Sequence, residues 1–260
     1  MKVGILTVAT GSYLEYWNDM ITSAQVNLKN STHEITFHVF TERHEDAKEM
    51  TQKISSFQFN VHEIPSYGWP EATLFRYRII ERFKDQYQED VLMHLDADML
   101  IRANFLDQIE FDELIGGVGL VAHPGFWRPK GGKRMKLYLR YPRILFSDVR
   151  NLFLYGGLGT WETRKQLKAY VKRSNRQRYV CGGSWLGMRC NLLSLIEICA
   201  ERVDQDIALE QMAIWHDESH LNRWAAENKF TLLSPSYCYD PTYPQLYPMQ
   251  ELIRAVDKRK

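Results

Sequence analysis

Two aspartates one residue apart close an apolar run: Val91-Leu92-Met93-His94-Leu95 is followed by Asp96-Ala97-Asp98. In open α/β sheets, ligands bind beyond the carboxyl ends of strands, so carboxylates placed there project into the natural site. Strand alternation would set positions 96 and 98 on one face, with Ala97 opposite. Neighbouring carboxylates repel, and a hard divalent cation relieves that repulsion through oxygen ligation. Such a cation can complete its shell with a diphosphate, whose charge it neutralises. Two solvated aspartates at a strand–loop junction would read the same way, and the strand-end position is what strengthens the metal reading.

Three further stretches carry possible chemistry. In Trp215-His216-Asp217-Glu218-Ser219-His220-Leu221-Asn222, the histidines are four apart, as in zinc proteases. Here, however, Glu218 stands one position too late, and Asp217 can equally cap a helix running on through Leu221, Trp224 and Ala225. Tyr179-Val180-Cys181-Gly182-Gly183-Ser184-Trp185-Leu186-Gly187 sets glycines among bulky residues. Paired glycines allow a close approach, but a tight turn is the preferred reading. His123-Pro124-Gly125-Phe126-Trp127 follows the apolar run Val118 to Ala122. That loop suits either a sugar-stacking surface or a structural turn.

The elements that must position these residues alternate. Val3 to Ala9 reads as a buried strand and residues 13–28 as an amphipathic helix with Leu14, Trp17, Ile21 and Ala24 inward. Strands are expected at Glu34 to Thr41 and Phe57 to Ile64, with a helix over 43–55 between them and another over 72–87. The alternation predicts one α/β domain over 1–260 with a mainly parallel sheet flanked by helices.

The chain has 260 residues, 45% hydrophobic and 25% charged, which argues against disorder or a fibre. No run approaches 18 apolar residues, and the N-terminus reads as a strand, not a signal peptide. Cys181, Cys190, Cys199 and Cys238 lack zinc-site spacing and are too few for a disulfide scaffold, which points to a reducing, cytoplasmic compartment. A net charge of +1 argues against a nucleic-acid coat.

That charge is unevenly spread. Arg128 to Arg178 holds 15 bases against Asp148 and Glu162, leaving 18 bases and 30 acids elsewhere. Within 128–156, eight bases are interleaved with Met135, Leu137, Tyr138, Leu139, Tyr141, Ile144, Leu145 and Phe146. A solvated insertion or a subunit contact is the first reading. An arm lying peripherally on an anionic membrane is the second, weakened by Pro142, which interrupts any single long helix.

Taken in order, the motifs resemble glycosyltransferase family 6, which holds the histo-blood-group A and B transferases and the α-1,3-galactosyltransferases. The likeness runs from Trp69 and Arg76 through Asp96-Ala97-Asp98-Met99 and His123-Pro124-Gly125-Phe126. It continues with Thr160-Trp161-Glu162-Thr163-Arg164, Tyr179-Val180-Cys181-Gly182-Gly183, the octet from Trp215, and Ser234-Pro235. The resemblance implies a GT-A fold, a Rossmann-like sheet that binds a UDP-sugar. The implied reaction moves GalNAc, or Gal, in α-1,3 linkage with retention onto a galactose-containing glycan, a lipid-linked one being among the expected acceptors.

Carried over position by position, Asp96 and Asp98 match the D-x-D that binds Mn²⁺ and donor. Glu218 matches the carboxylate opposite the anomeric carbon and also lies at the acceptor. Asp217 and Arg76 match donor contacts; Cys181, Gly182 and Gly183 match the stretch that reads the sugar 2-substituent, and two glycines there favour GalNAc. His123 and Trp215 match acceptor residues, while Val8, Ala9, Thr10 and Tyr13 align with the uracil edge. Arg254, Lys258, Arg259 and Lys260 would form a basic tail closing on the diphosphate. Many bacterial members carry Asn-x-Asn and work without metal, whereas this chain keeps both aspartates. It carries no stem of the vertebrate kind, which is similar to microbial members, and its stretch after His123 is longer, the excess lying near 128–156. The competing expectations are a haloacid-dehalogenase-like phosphatase, which would want its D-x-D early in the chain, and a degenerate sugar-binding protein.

Overall fold

The computed structural model describes residues 1–246 and 248–257. Four strands lie side by side in parallel: β1 (Lys2–Val8), β2 (Glu34–Thr41), β3 (Gln58–Glu63) and β4 (Val91–Leu95), in the order β3-β2-β1-β4. The sheet extends beyond β4 through β7 (Val180–Met188), β6 (Val118–Ala122) and β8 (Thr231–Leu233). β7 runs antiparallel to both its neighbours, and β8 is parallel to β6. The sheet is therefore mainly parallel, as expected. A separate pair joins β5 (Met99–Ile101) to β9 (Ile253–Ala255).

Both faces of the central strands are covered, which is why they read as unbroken apolar runs. Val3, Ile5, Val91 and Met93 enter one core with Leu14, Trp17, Met20 and Ile21 of α1 (Tyr13–Asn27). Leu6, Leu92 and Trp185 enter the other core, on the opposite face. That second core is closed by α4 (Arg76–Arg82), α7 (Arg189–Ile207) and α8 (His216–Glu227).

Several local expectations are corrected. The helix expected over 43–55 ends as α2 (His44–Thr51). The helix expected over 72–87 divides into α3 (Glu71–Leu74), α4 and a short turn at Lys84–Gln86. The break falls at Phe75 (φ −91°, ψ 4°), immediately before Arg76, whose side chain turns inward and is buried. Residues 96–98 form a turn between β4 and β5, so strand alternation does not govern their side chains. The glycines at 182 and 183 lie inside β7, not in a turn. Asp217 sits in the first turn of α8 without capping it; Trp215 holds the cap position, and its N–H is taken by Ser219 Oγ at 3.0 Å.

The basic segment folds as a helical hairpin, α5 (Gly132–Arg140) and α6 (Pro142–Tyr155), joined at Tyr141. Pro142 opens α6, where its missing N–H has no helical partner to lose.

Candidate active site

β4 and β7 bring the sequence motifs to one place. The backbone N–H of Asp96 donates to the carbonyl of Gly183 at 3.0 Å, tying the D-x-D turn to the glycine pair. A Cβ at Gly183 would lie 2.7 Å from Asp96 Oδ2, and one at Gly182 would lie 3.1 Å from Cβ of Glu218. A side chain at Gly183 would force the Asp96 carboxylate to shift, and one at Gly182 would fit tightly against Glu218. That close approach replaces the tight turn expected from sequence.

Arg76 organises the carboxylates. Its Nη1 lies 2.9 Å from Asp96 Oδ1 and donates to the carbonyl of Gly182 at 3.0 Å. Nε lies 3.2 Å from Asp217 Oδ2, near enough to pair but not aligned as a hydrogen bond, and that buried oxygen has no hydrogen-bond partner. Burial alone would lower the Arg76 pKa, but Asp217 and Asp96 more than offset it and hold the guanidinium firmly charged. His94 Nε2 lies 3.0 Å from Arg76 Nη1 and 3.2 Å from Asp96 Oδ1. Burial pushes His94 down to about 4, with Asp96 opposing that and Arg76 adding to it, so the ring is neutral at neutral pH.

Glu218 is held at both oxygens. Tyr179 donates its hydroxyl to Oε1 at 2.8 Å, and the Gly182 N–H donates to Oε2 at 2.8 Å. Burial raises its carboxyl to about 7, against these two hydrogen bonds, with nearby Asp96 adding to the rise. Burial likewise raises Asp217 to about 7, opposed by Arg76 and reinforced by Asp96 and Glu218. Two carboxyls poised near neutrality in one cleft are the kind of perturbation that marks reactive sites. His123 Nδ1 accepts the Gly125 N–H at 3.0 Å and Nε2 stands 4.0 Å from Glu218 Oε2. Burial lowers His123 to about 4, so the neutral ring carries its hydrogen on Nε2, facing the carboxylate.

Two adjoining cavities share Thr73, Arg76 and Asp96 in their walls. The first, about 370 Å³, is lined by Val8, Thr10, Tyr13, Trp69, His94 and Asp98 among others. The second, about 410 Å³, is lined by His123, Gly182, Gly183, Trp215, Asp217 and Glu218, with Phe126, Thr160 and Tyr243. The residues expected at the uracil edge and at the diphosphate thus meet in one cavity, and those expected at the sugar and acceptor meet in the other. Three expected residues among those described line neither. Ala9 is fully buried, its N–H bonded to the Phe40 carbonyl at 2.9 Å. Cys181 is buried with its Sγ 2.9 Å from that of Cys238. Arg254 lies in β9, its Nη1 3.1 Å from Glu251; Lys258, Arg259 and Lys260 fall outside the described residues.

Sequence reasoning passed over Tyr179 and His94 as site residues. His94 stands two residues before Asp96 in an otherwise apolar strand, and that lone polar group was the available signal. Tyr179 gave none, because its contact with Glu218 spans 39 residues.

Residues 153–260 match the glycosyltransferase family 6 model. The matched residues make up about two-fifths of the chain, its C-terminal part. It is 26% identical over 243 residues to the histo-blood group ABO system transferase 1 of Rattus norvegicus, covering 92% of this chain and 61% of the relative. It is 24% identical over 250 residues to the globoside alpha-1,3-N-acetylgalactosaminyltransferase 1 of Gallus gallus, covering 94% of this chain and 64% of the relative. The chain thus spans about three-fifths of the length of these two relatives. The O-antigen biosynthesis glycosyltransferase WbnI of Escherichia coli, 24% identical over 246 residues, is matched over 94% of this chain and 90% of its own length.

Proposed function

We propose that this chain is a family 6-type retaining glycosyltransferase that moves GalNAc, or Gal, from a UDP-sugar in α-1,3 linkage to a galactose-containing glycan. The observation that carries the reading is the position of Glu218: hydrogen-bonded at both oxygens, poised near pH 7, and facing the cavity that adjoins the D-x-D turn.

Val8, Thr10 and Tyr13 would bind the base at the mouth of the first cavity, with Asp96 and Asp98 beyond them towards the second. Mn²⁺ or a similar ion fits the donor chemistry there, since both are hard oxygen ligands. Among the described residues no group of three or more His, Cys, Asp or Glu could hold a metal, so Asp96 and Asp98 would need diphosphate oxygens to complete the shell. When bound, such an ion supplies positive charge to the departing UDP.

The chain's own residues do the rest. Arg76 fixes Asp96 and Asp217, and Asp217 Oδ2, ion-paired to Arg76 but without a hydrogen bond, is an acceptor for a sugar hydroxyl. As the anomeric carbon becomes oxocarbenium-like, ionised Glu218 stabilises its charge from the opposite face. Retention then follows from double displacement through Glu218 or from front-face attack on an ion pair. His123 and Trp215 border the space left for the acceptor.

GalNAc is favoured over Gal by the relatives named as N-acetylgalactosaminyltransferases. Work in a reducing, cytoplasmic compartment belongs to the same proposal and is supported by four free cysteines. The test is transfer from UDP-GalNAc and UDP-Gal to a galactoside, with the product's anomeric configuration read by proton NMR. An α-linked product, formed faster from UDP-GalNAc, is expected. A β-linked product would overturn retention, and release of UDP from neither donor would overturn the activity.

A further inference from the structure

The α5–α6 hairpin is built inside out. The buried residues of α6 are Asp148 and Asn151, while Phe146, Val149 and Phe153 stand outward at 74%, 56% and 80% exposure. Their spacing of three and four residues draws one stripe along the helix, and Leu145 and Leu152 widen it. α5 adds Leu139, 78% exposed, and Met135. A helix that buries its polar side and offers its apolar side is shaped for a medium other than water.

Charge narrows what that medium can be. The segment 128–156 has one acid, Asp148, and the fold removes it from the surface. Arg128 grips it from two nitrogens at 2.8 and 2.6 Å, and the Tyr138 hydroxyl donates to it at 2.7 Å. Lys130, Lys133, Lys136, Arg140, Arg143 and Arg150 remain exposed on the same segment. The outer surface of the hairpin is thus apolar and cationic, with no carboxylate of its own. A second copy docking here would set these cations against their equals, which like-charge repulsion opposes. An anionic lipid surface satisfies both features: headgroups meet the bases, and the acyl boundary receives the stripe.

We propose that the α5–α6 hairpin docks this protein on an anionic lipid surface, with α6 lying in the interface. The inference goes beyond the transferase reading and does not depend on it. One consequence links them: Arg128 Nη1 also donates to the Gly125 carbonyl at 2.8 Å, so the hairpin is fastened to the His123–Trp127 loop beside the second cavity. Docking would hold that cavity close to the lipid.

The test is co-sedimentation of the full chain with vesicles of phosphatidylcholine alone or mixed with phosphatidylglycerol, at low and high salt. Binding to the mixed vesicles, weakened by salt, is expected. Phe146→Ser with Phe153→Ser should lower partitioning about a hundredfold, since two buried aromatic side chains are lost. Lys133→Glu with Lys136→Glu should abolish the preference for phosphatidylglycerol, which keeps the claim testable if the serine variant folds poorly. Neither pair should alter UDP release from a UDP-sugar, so failure of the transferase reading and failure of docking are told apart. No binding at low salt, equal binding to neutral vesicles, or wild-type binding by both variants would overturn the proposal. So would a dimer, seen by sedimentation velocity, that the serine variant dissociates while vesicles are ignored.

Discussion

Gly183 and Asp96 pack so closely that a Cβ on the glycine would sit 2.7 Å from Asp96 Oδ2, and the carboxylate would have to shift to admit it. The pair explains why a nine-residue strand carries glycine at its centre. It also redirects the meaning of the motif. Gly183→Ala would displace the carboxylate before it narrowed any sugar pocket. The expected outcome is a rise of about tenfold in the Mn²⁺ concentration needed for half-maximal activity, with both donors impaired alike. A Mn²⁺ titration of the variant against each donor checks this. Altered donor preference at unchanged Mn²⁺ demand would contradict it.

Metal dependence is expected throughout. EDTA should abolish transfer and Mn²⁺ restore it, and Asp98→Asn should lose activity by roughly two orders of magnitude. Full activity in EDTA would remove Asp96 and Asp98 from metal binding.

The acid limb of the pH–rate profile should report Glu218. With its carboxyl raised to about 7, the ionised form needed at the anomeric carbon is lost as pH falls through neutrality. The groups acting on it are the Gly182 N–H, Tyr179 and Arg76, which favour the charged form, with His123 neutral and Asp96 opposing. Tyr179→Phe removes one donor to the carboxylate and should move the limb upward by about one unit. The pH dependence of kcat/KM for wild type and variant decides it. An unmoved limb would show that Tyr179 only packs.

Stability should carry the opposite signature of the same group. Below the ordinary carboxylate range, folded and unfolded chains both hold the Glu218 proton. Between about 4.5 and about 7 the unfolded chain releases it while the folded chain keeps it, so rising pH penalises folding; above about 7 the penalty is complete. Glu218→Gln escapes this. Its stability relative to wild type should climb across that window by on the order of 1–3 kcal/mol, read by denaturant unfolding at several pH values. A flat difference would mean an unperturbed carboxyl.

Much of the site was legible because its residues end elements that periodicity reveals. The apolar run to Leu95 places Asp96, and the strand order puts that end beside β7. What periodicity could not show is contact across distant segments. A strand containing Gly182 and Gly183 reads as a turn until Asp96 and Glu218 are seen filling the missing side chains. The broken helix at Phe75 was hidden because nothing in 72–87 signals that Arg76 must turn inward to meet Asp96 and Asp217. Ala9 illustrates the converse error. It adjoins Val8 and Thr10 in sequence, but its neighbours face the cavity while it faces the core.

The transferase reading requires that Glu218 act on the reacting sugar and not on the nucleotide. The direct measurement pairs UDP affinity, by calorimetry with Mn²⁺ present, with the rate of UDP release from UDP-GalNAc, for wild type and Glu218→Gln. The charge matters only in the transition state, so the variant should bind UDP within about twofold of wild type while turnover falls by about a hundredfold or more. Turnover at the wild-type rate, or a loss confined to UDP affinity, would contradict the assignment.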